Sequence, residues 1–246
     1  MRIRMYKIGV DEAGRGPAIG PLVVCALCIP DSEIKILESI GAKDSKSISP
    51  KKRESLSEKI LLMAEEKKWP IGMIVCDASR IDRERSKTNL NILEIELFKE
   101  AIQSTGMAKN EGLIQADACD VNEKRFERRV KYALGEKWGH WRIDAKHRMD
   151  SEEALVGAAS ILAKVCRDKE IRRINNLLDV DIGSGYPSDP KTKEAVKKLV
   201  DSELPNQFLR WSWATVKNAW NEVHDTQIPI RQELGDIRIQ SSLNDW

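Results

Sequence analysis

Hydrophobic positions fall into short runs separated by charged stretches, and the spacing inside each run predicts its local structure. Residues 6–10 form a brief β-prone run that stops at Asp11-Glu12-Ala13-Gly14-Arg15-Gly16-Pro17, whose turn-forming residues predict the end of a first strand. Residues 20–29 resume as an unbroken apolar stretch, as expected of a strand covered on both faces. A short helix near 33–40 leads into a polar loop over 41–47. Ser49-Pro50 then supplies an N-cap and a first helical residue for a charged helix running to about residue 68. A buried strand is predicted at 71–76. Leu90, Leu93, Leu97, Phe98, Ala101 and Ile102 follow at helical spacing and mark an amphipathic helix. Residues 113–116 read as a strand ending on Asp117, about 122–134 as a basic helix, and 141–145 as another strand. Leu155, Val156, Ala159, Leu162, Ala163 and Cys166 place a long helix that begins near residue 151, with Asp150 at or just before its start. A loop at 183–187 and a helix over 191–200 complete this region.

Strands first, then strands alternating with helices, predict an α/β domain with a central mixed β-sheet flanked by helices over residues 1–205. Beyond Pro205 the character changes. Trp211, Trp213, Trp220 and Trp246 are four of the seven tryptophans, and residues 206–231 are expected to form a small helical appendage. Residues 232–246 are too polar for a core and are expected to form a tail. No repeat of solenoid period and no low-complexity block interrupts the chain.

Composition narrows the classes. The 246 residues include 41% apolar side chains with only 14 Gly and 9 Pro, the balance of a folded globular protein. Basic and acidic residues number 41 and 39, so the formal net charge is only +2, which argues against a simple polycation but leaves room for local basic patches. No apolar run reaches the roughly 18 residues that span a bilayer. The opening residues carry no export signal, so a cytosolic, membrane-free protein is expected. The five cysteines are odd in number and scattered, and Cys25-x-x-Cys28 lies inside an apolar strand, which suits reduced core thiols rather than disulfides or zinc.

The chemistry is carried by carboxylates. Asp11 and Glu12 are adjacent where the first strand meets a glycine-rich turn, Asp117 ends another strand, and Asp150 lies at a helix start that favours an anion. Neighbouring carboxylates repel, and burying them requires a cation or water between them. At the strand ends of an α/β sheet such residues converge on one edge. Oxygen donors without a His or Cys cluster select a hard ion, Mg²⁺ or Mn²⁺, suited to phosphoryl chemistry. Asp117-Ala118-Cys119-Asp120 offers two aspartates; Asp117 is preferred because it ends the apolar run and leaves Asp120 with Asn122 to start the next helix. The glycines of Gly14-Arg15-Gly16 leave the backbone closely approachable. Lys46 is a candidate phosphate contact, and the basic helix near 122–134 presents Lys124, Arg128 and Lys131 at helical spacing.

Several strings together resemble one family. They are Gly9-Val10-Asp11-Glu12-Ala13-Gly14-Arg15-Gly16-Pro17 with Gly20-Pro21; Asp44-Ser45-Lys46; Ala158-Ala159-Ser160-Ile161-Leu162-Ala163-Lys164-Val165 with Arg167-Asp168; and Gly183-Ser184-Gly185-Tyr186-Pro187-Ser188-Asp189-Pro190. In this order, over residues 6 to about 220, the chain resembles type 2 ribonuclease H (ribonuclease HII), of the archaeal and eukaryotic kind. The resemblance implies a ribonuclease H-like fold and metal-dependent cleavage of the RNA strand of RNA/DNA hybrids, including single ribonucleotides in duplex DNA. Cutting would fall on the 5′ side of the ribonucleotide and leave 3′-hydroxyl and 5′-phosphate ends. Asp11, Glu12, Asp117 and Asp150 would be the catalytic acids and metal ligands, serving two ions. Gly14, Arg15 and Gly16 would read the 2′-hydroxyl, and Tyr186 would stack near the RNA-to-DNA junction. The last residues resemble a second pattern, Gln-x-x-aliphatic-x-x-aromatic, by which replication enzymes dock on a sliding clamp, with Gln240, Leu243 and Trp246 as its anchors. A monomer is expected. The alternatives are another metal-dependent nuclease or strand-transfer enzyme of the same fold, or a non-catalytic hybrid-binding module.

Overall fold

The computed structural model describes residues 5–42, 48–202, 205–231 and 237–238. Lys46 and the tail residues Gln240, Leu243 and Trp246 lie outside the described residues. The central sheet has five strands: β1 (Tyr6–Ala13), β2 (Leu22–Pro30), β3 (Ile71–Cys76), β4 (Gly112–Asp117) and β5 (Trp141–Lys146), in the order β3-β2-β1-β4-β5. β1 is antiparallel to β2 and parallel to β4, which is parallel to β5, so the sheet is mixed as expected. Every residue of β2 is buried, in keeping with its unbroken apolar sequence.

The helices, in chain order, are α1 (Ile34–Ser39), α2 (Pro50–Lys67), α3 (Ala78–Lys87), α4 (Leu90–Ser104), α5 (Glu123–Leu134), α6 (Met149–Glu152), α7 (Ala154–Leu177), α8 (Pro190–Val200) and α9 (Ala214–Val223). Two short strands, β6 (Ile230–Arg231) and β7 (Ile237–Arg238), pair antiparallel. Side chains set several helix starts. Ser49 accepts from the Lys52 amide ahead of Pro50, Asp77 caps α3, Asn122 caps α5 and Asp189 caps α8. Among the described residues no helix is long and apolar enough to cross a membrane.

Three local readings differ from the sequence expectation. β1 runs on to Ala13 because Asp11, Glu12 and Ala13 still pair with Cys25, Val24 and Val23 of β2, so the two acids lie inside the strand. α3 has no apolar stripe to announce it; only Ala78, Ile81 and Asp82 are buried there. The long helix is broken at Glu153, whose extended backbone (φ −116°, ψ 117°) separates α6 from α7 and puts Asp150 inside a helix of its own.

The described residues form two compact units, within the following bounds. The first comprises residues 1–13, 23–75 and 94–166, and its core gathers Val23, Leu27, Leu37, Ile60, Leu155 and Leu162. The second comprises residues 14–22, 76–93 and 167–246, with Ile19, Ile174, Val196, Leu199, Trp211 and Trp220 at its centre. Residues 206–231 contribute to this core through Leu209, Trp211, Val216 and Trp220. Trp211 and Trp220 meet edge to face with ring centroids 5.5 Å apart. The boundary expected at residue 205 falls inside this unit.

Candidate active site

In the first unit the parallel register Val10↔Ala116 puts Asp117, one residue on, beside Asp11 at the same edge of the sheet. α6 supplies the third acid. Carboxylate oxygens of Asp11, Asp117 and Asp150 all lie within 4.8 Å of one another. Arg148, in the left-handed conformation (φ 62°), turns the chain from β5 into α6. Gly157 then lets α7 pass close: a β-carbon there would sit 2.8 Å from the Asp150 carbonyl and 2.3 Å from that of Ala42. Asp117 is oriented by the Met149 amide, which donates to its Oδ1 at 3.1 Å. Lys164 Nζ stands 3.9 Å from Asp150 Oδ2.

Asp11 is buried, and burial, with Glu12 and Asp117 close by, raises its carboxyl well above the ordinary range. A hydrogen bond from Ser160, fully buried on α7, and one from the Glu12 amide at 2.8 Å oppose that rise. These groups orient the carboxylate.

Glu12, next along the strand, joins a different group. Its carboxylate clusters with Glu94 of α4 and the Cys119 thiol, again within 4.8 Å. Burial, Glu94 and Asp117 lift the Glu12 carboxyl to about 7. Its Oε2 is buried and has no hydrogen-bond partner among the described residues. The four expected acids are therefore close neighbours in two sets, three in one and Glu12 in the other. Glu94, Cys119, Ser160 and Lys164 are additions that the sequence reading did not single out. Glu94 carried a signal: it shares the apolar stripe of α4 with Leu90, Leu97 and Ala101, and it is fully buried.

Asp120 goes elsewhere. Arg125 donates to both of its oxygens and Arg129 Nη1 lies 3.6 Å away, and the hydrogen bond from Arg125, foremost, holds its carboxyl down at about 2. Two of the basic residues of α5 are thus committed to Asp120. His147 is exposed and bonds the Ala118 carbonyl through Nδ1.

These residues fit divalent cations. Three mutually repelling carboxylates offer only oxygen donors, the preference of a hard ion, and the orphaned Glu12 Oε2 is a buried acceptor for which a cation would compensate. The Cys25 and Cys28 thiols are core groups, and burial pushes the latter up to about 12.

The second unit holds the expected substrate-binding residues other than Lys46. Gly14 has φ +89°, and a β-carbon there would meet the Pro21 carbonyl at 2.6 Å and the Arg167 side chain at 2.7 Å. Gly16 is exposed beside the Tyr186 ring, which would stand 3.7 Å from a β-carbon on it. Tyr186 is 37% exposed and lies against the Arg167 guanidinium, 4.9 Å from its ring centroid. Arg167 also donates to the Ser184 carbonyl at 2.6 Å, and Arg15 to Asn91 at 2.9 Å. Gly14, Arg15, Gly16 and Tyr186 therefore form one neighbourhood.

Known proteins share this arrangement of sequence and fold. The family profile described as ribonuclease HII matches residues 8–216. A ribonuclease HII of Methanococcus maripaludis is 41% identical over 224 residues, 90% of each chain. The crystal structure of the ribonuclease H2 from Pyrococcus horikoshii superposes with a TM-score of 0.75 at 33% identity, covering 89% of this chain and 99% of that one. The ribonuclease HII of Archaeoglobus fulgidus, solved as a complex with PCNA, gives 0.74 at 32% identity over 98% of this chain and 100% of the other. The fold is thus the ribonuclease H-like one that the sequence motifs imply. Match, identity and fold agree, and the chain belongs to the ribonuclease HII family as a metal-dependent endoribonuclease.

Proposed function

We propose that this endoribonuclease hydrolyses the RNA strand of RNA/DNA hybrids and cuts 5′ of single ribonucleotides in duplex DNA, leaving 3′-hydroxyl and 5′-phosphate ends. The observation that carries the reading is the convergence of Asp11, Asp117 and Asp150 within 4.8 Å, with Glu12 next along the strand. These four acids are the proposed ligands of two Mg²⁺ or Mn²⁺ ions. Bound there, divalent ions supply an activated water and neutralise charge on the leaving 3′ oxygen. The chain's own part is to hold its carboxylates ready. Ser160 and the Glu12 amide fix Asp11, the Met149 amide fixes Asp117, and Lys164 faces Asp150.

Selection of RNA falls to the second unit in this reading. Gly14-Arg15-Gly16 follows Glu12 almost at once in sequence, and its backbone is the proposed reader of the 2′-hydroxyl, a group that both donates and accepts. The partly exposed Tyr186 ring, steadied by Arg167, is the proposed stacking surface at the RNA-to-DNA junction. Lys46 is the proposed phosphate contact. Asp117→Asn should lower kcat by about a thousandfold or more, as removal of a central ligand would. Calorimetric titration with Mn²⁺ checks the cause. Unaltered turnover, or lost turnover with unaltered Mn²⁺ affinity, would remove Asp117 from the proposed role.

We also propose that Gln240, Leu243 and Trp246 dock on a sliding clamp. The spacing of the three residues and the PCNA complex of the Archaeoglobus fulgidus relative support it. Trp246→Ala should abolish clamp binding in surface plasmon resonance while cleavage of short duplexes is unchanged; full retention of binding would exclude the tail.

A further inference from the structure

We propose that Arg210 and Trp213 are positioning residues for ribose recognition, acting by fixing the main chain of the Gly14-Arg15-Gly16 loop. The carbonyl oxygens of all three loop residues accept from the side chains of these two. Arg210, fully buried, donates Nη2 to the Gly14 carbonyl at 2.7 Å, Nη1 to that of Arg15 at 3.0 Å and Nε to that of Gly20 at 2.9 Å. Trp213 donates Nε1 to the Gly16 carbonyl at 3.1 Å. Arg210 Cζ lies 4.9 Å from the Trp213 ring centroid and Arg85 Cζ 4.6 Å, so the indole is itself held by cations.

The consequence follows from peptide geometry. In a trans peptide the carbonyl of one residue and the amide of the next point in opposite directions. Drawing the Gly14 and Arg15 carbonyls onto one guanidinium turns the Arg15 and Gly16 amides away from it. The loop thereby presents a fixed face of main-chain groups of the kind a 2′-hydroxyl needs. The three carbonyls are met by three separate nitrogens of one planar fork, a spread that the single nitrogen of a lysine does not have, so lysine is no substitute at position 210.

The clasp is braced from behind. The Arg210 amide donates to the Ala18 carbonyl at 2.9 Å, and the Gly20 amide to that of Phe208 at 3.0 Å. Asp82 of α3 accepts from the Trp211 amide at 3.0 Å and from the Ser212 amide and hydroxyl at 3.0 and 2.7 Å. Asp82 is in turn paired with Arg231 at 3.1 Å. Residues 208–213 are thereby tied to residues 14–20 at Phe208, Arg210 and Trp213, and to α3 at Trp211 and Ser212.

This inference rests on the reading that the loop recognises the ribose, and the experiment separates the two. The full-length protein cleaves a DNA duplex carrying one ribonucleotide while the same duplex in all-DNA form competes; the ratio of the competitor's Ki to KM measures recognition of one 2′-hydroxyl. Arg210→Lys should reduce that ratio about tenfold and Trp213→Phe severalfold, through KM, with Ki and Mn²⁺ affinity unchanged. Gly16→Ala, whose β-carbon meets only the Tyr186 ring, reports on the loop itself. If Gly16→Ala lowers the ratio while the other two variants leave it intact, the positioning role is overturned and the loop's own role stands. If Gly16→Ala, Arg210→Lys and Trp213→Phe all leave the ratio intact, neither the loop nor its clasp serves ribose recognition and the inference falls. Should Arg210→Lys lose its melting transition, Trp213→Phe decides alone.

Discussion

Burial, first of all, holds Asp11 and Glu12 as weak acids, aided by Glu12 and Asp117 at Asp11 and by Glu94 and Asp117 at Glu12, and this sets a direction for pH. The Glu12 carboxyl rises from 4.5 to about 7, so the folded state binds its proton more tightly than the unfolded chain does. Its contribution to stability is complete below 4.5 and is lost as pH rises through about 7. The metal-free protein should therefore melt at progressively lower temperature across that window, and Glu12→Gln should flatten the trend in a calorimetric pH series. A divalent ion needs the deprotonated acids, so the gain in Tm on adding Mn²⁺ should be larger at pH 8 than at pH 6. A Tm that climbs through the same window without metal would contradict the assigned burial. Glu94→Gln removes a neighbouring negative charge that lifts Glu12. Mn²⁺ binding should then persist to lower pH, visible as an acid-side shift of the titration midpoint. Asp11 and Glu12 stand out in the sequence as adjacent acids beside a glycine-rich turn, and Asp117 as the acid that closes an apolar run. Glu94 was harder to see: its place on the apolar stripe of α4 is a signal, but one carboxylate there does not reveal which other acid it will meet.

At the scale of elements, the site depends on how closely segments approach. Gly157 admits the Ala42 and Asp150 carbonyls to a space that a methyl group would fill. Gly157→Ala should therefore destabilise the protein by about 2 kcal/mol through overpacking. It should also weaken Mn²⁺ binding, because α6 must shift with Asp150; full Mn²⁺ affinity at reduced Tm would show that α6 absorbs the strain without moving its acid. Most strands and the amphipathic helices were readable from periodicity. β1 was cut short because Gly14 and Gly16 look like the end of a strand, whereas pairing with the fully buried β2 carries it through both acids. α3 was missed because its charged sequence buries only three residues, and its role is tertiary: Asp82 braces the segment after residue 210. Such partners are remote in sequence and leave no local periodicity.

The whole molecule carries 41 basic and 39 acidic residues, a near balance that conceals local polarity. Four of the negative charges stand at the candidate metal site, where bound cations would offset them, so the loaded protein presents more net positive charge than +2 to a duplex. Two of the five basic side chains of α5 are drawn to Asp120, which limits what that helix can offer phosphates. A modest set of phosphate contacts predicts that KM rises roughly tenfold between 50 and 200 mM salt. Steady-state kinetics at the two salt concentrations measure it, and an unchanged KM would rule out electrostatic tracking of the backbone.

The central claim is that the acidic cluster cuts a phosphodiester only where a ribonucleotide marks it. The most direct measurement is product mapping on an end-labelled DNA duplex containing one ribonucleotide, beside the identical all-DNA duplex, with Mg²⁺ or Mn²⁺ supplied. The account predicts a single cut on the 5′ side of the ribonucleotide, a 3′-hydroxyl end upstream of it, no product from the all-DNA duplex, and none from either duplex with Asp117→Asn. Cutting of the all-DNA duplex, or an unchanged cut by Asp117→Asn, would contradict it.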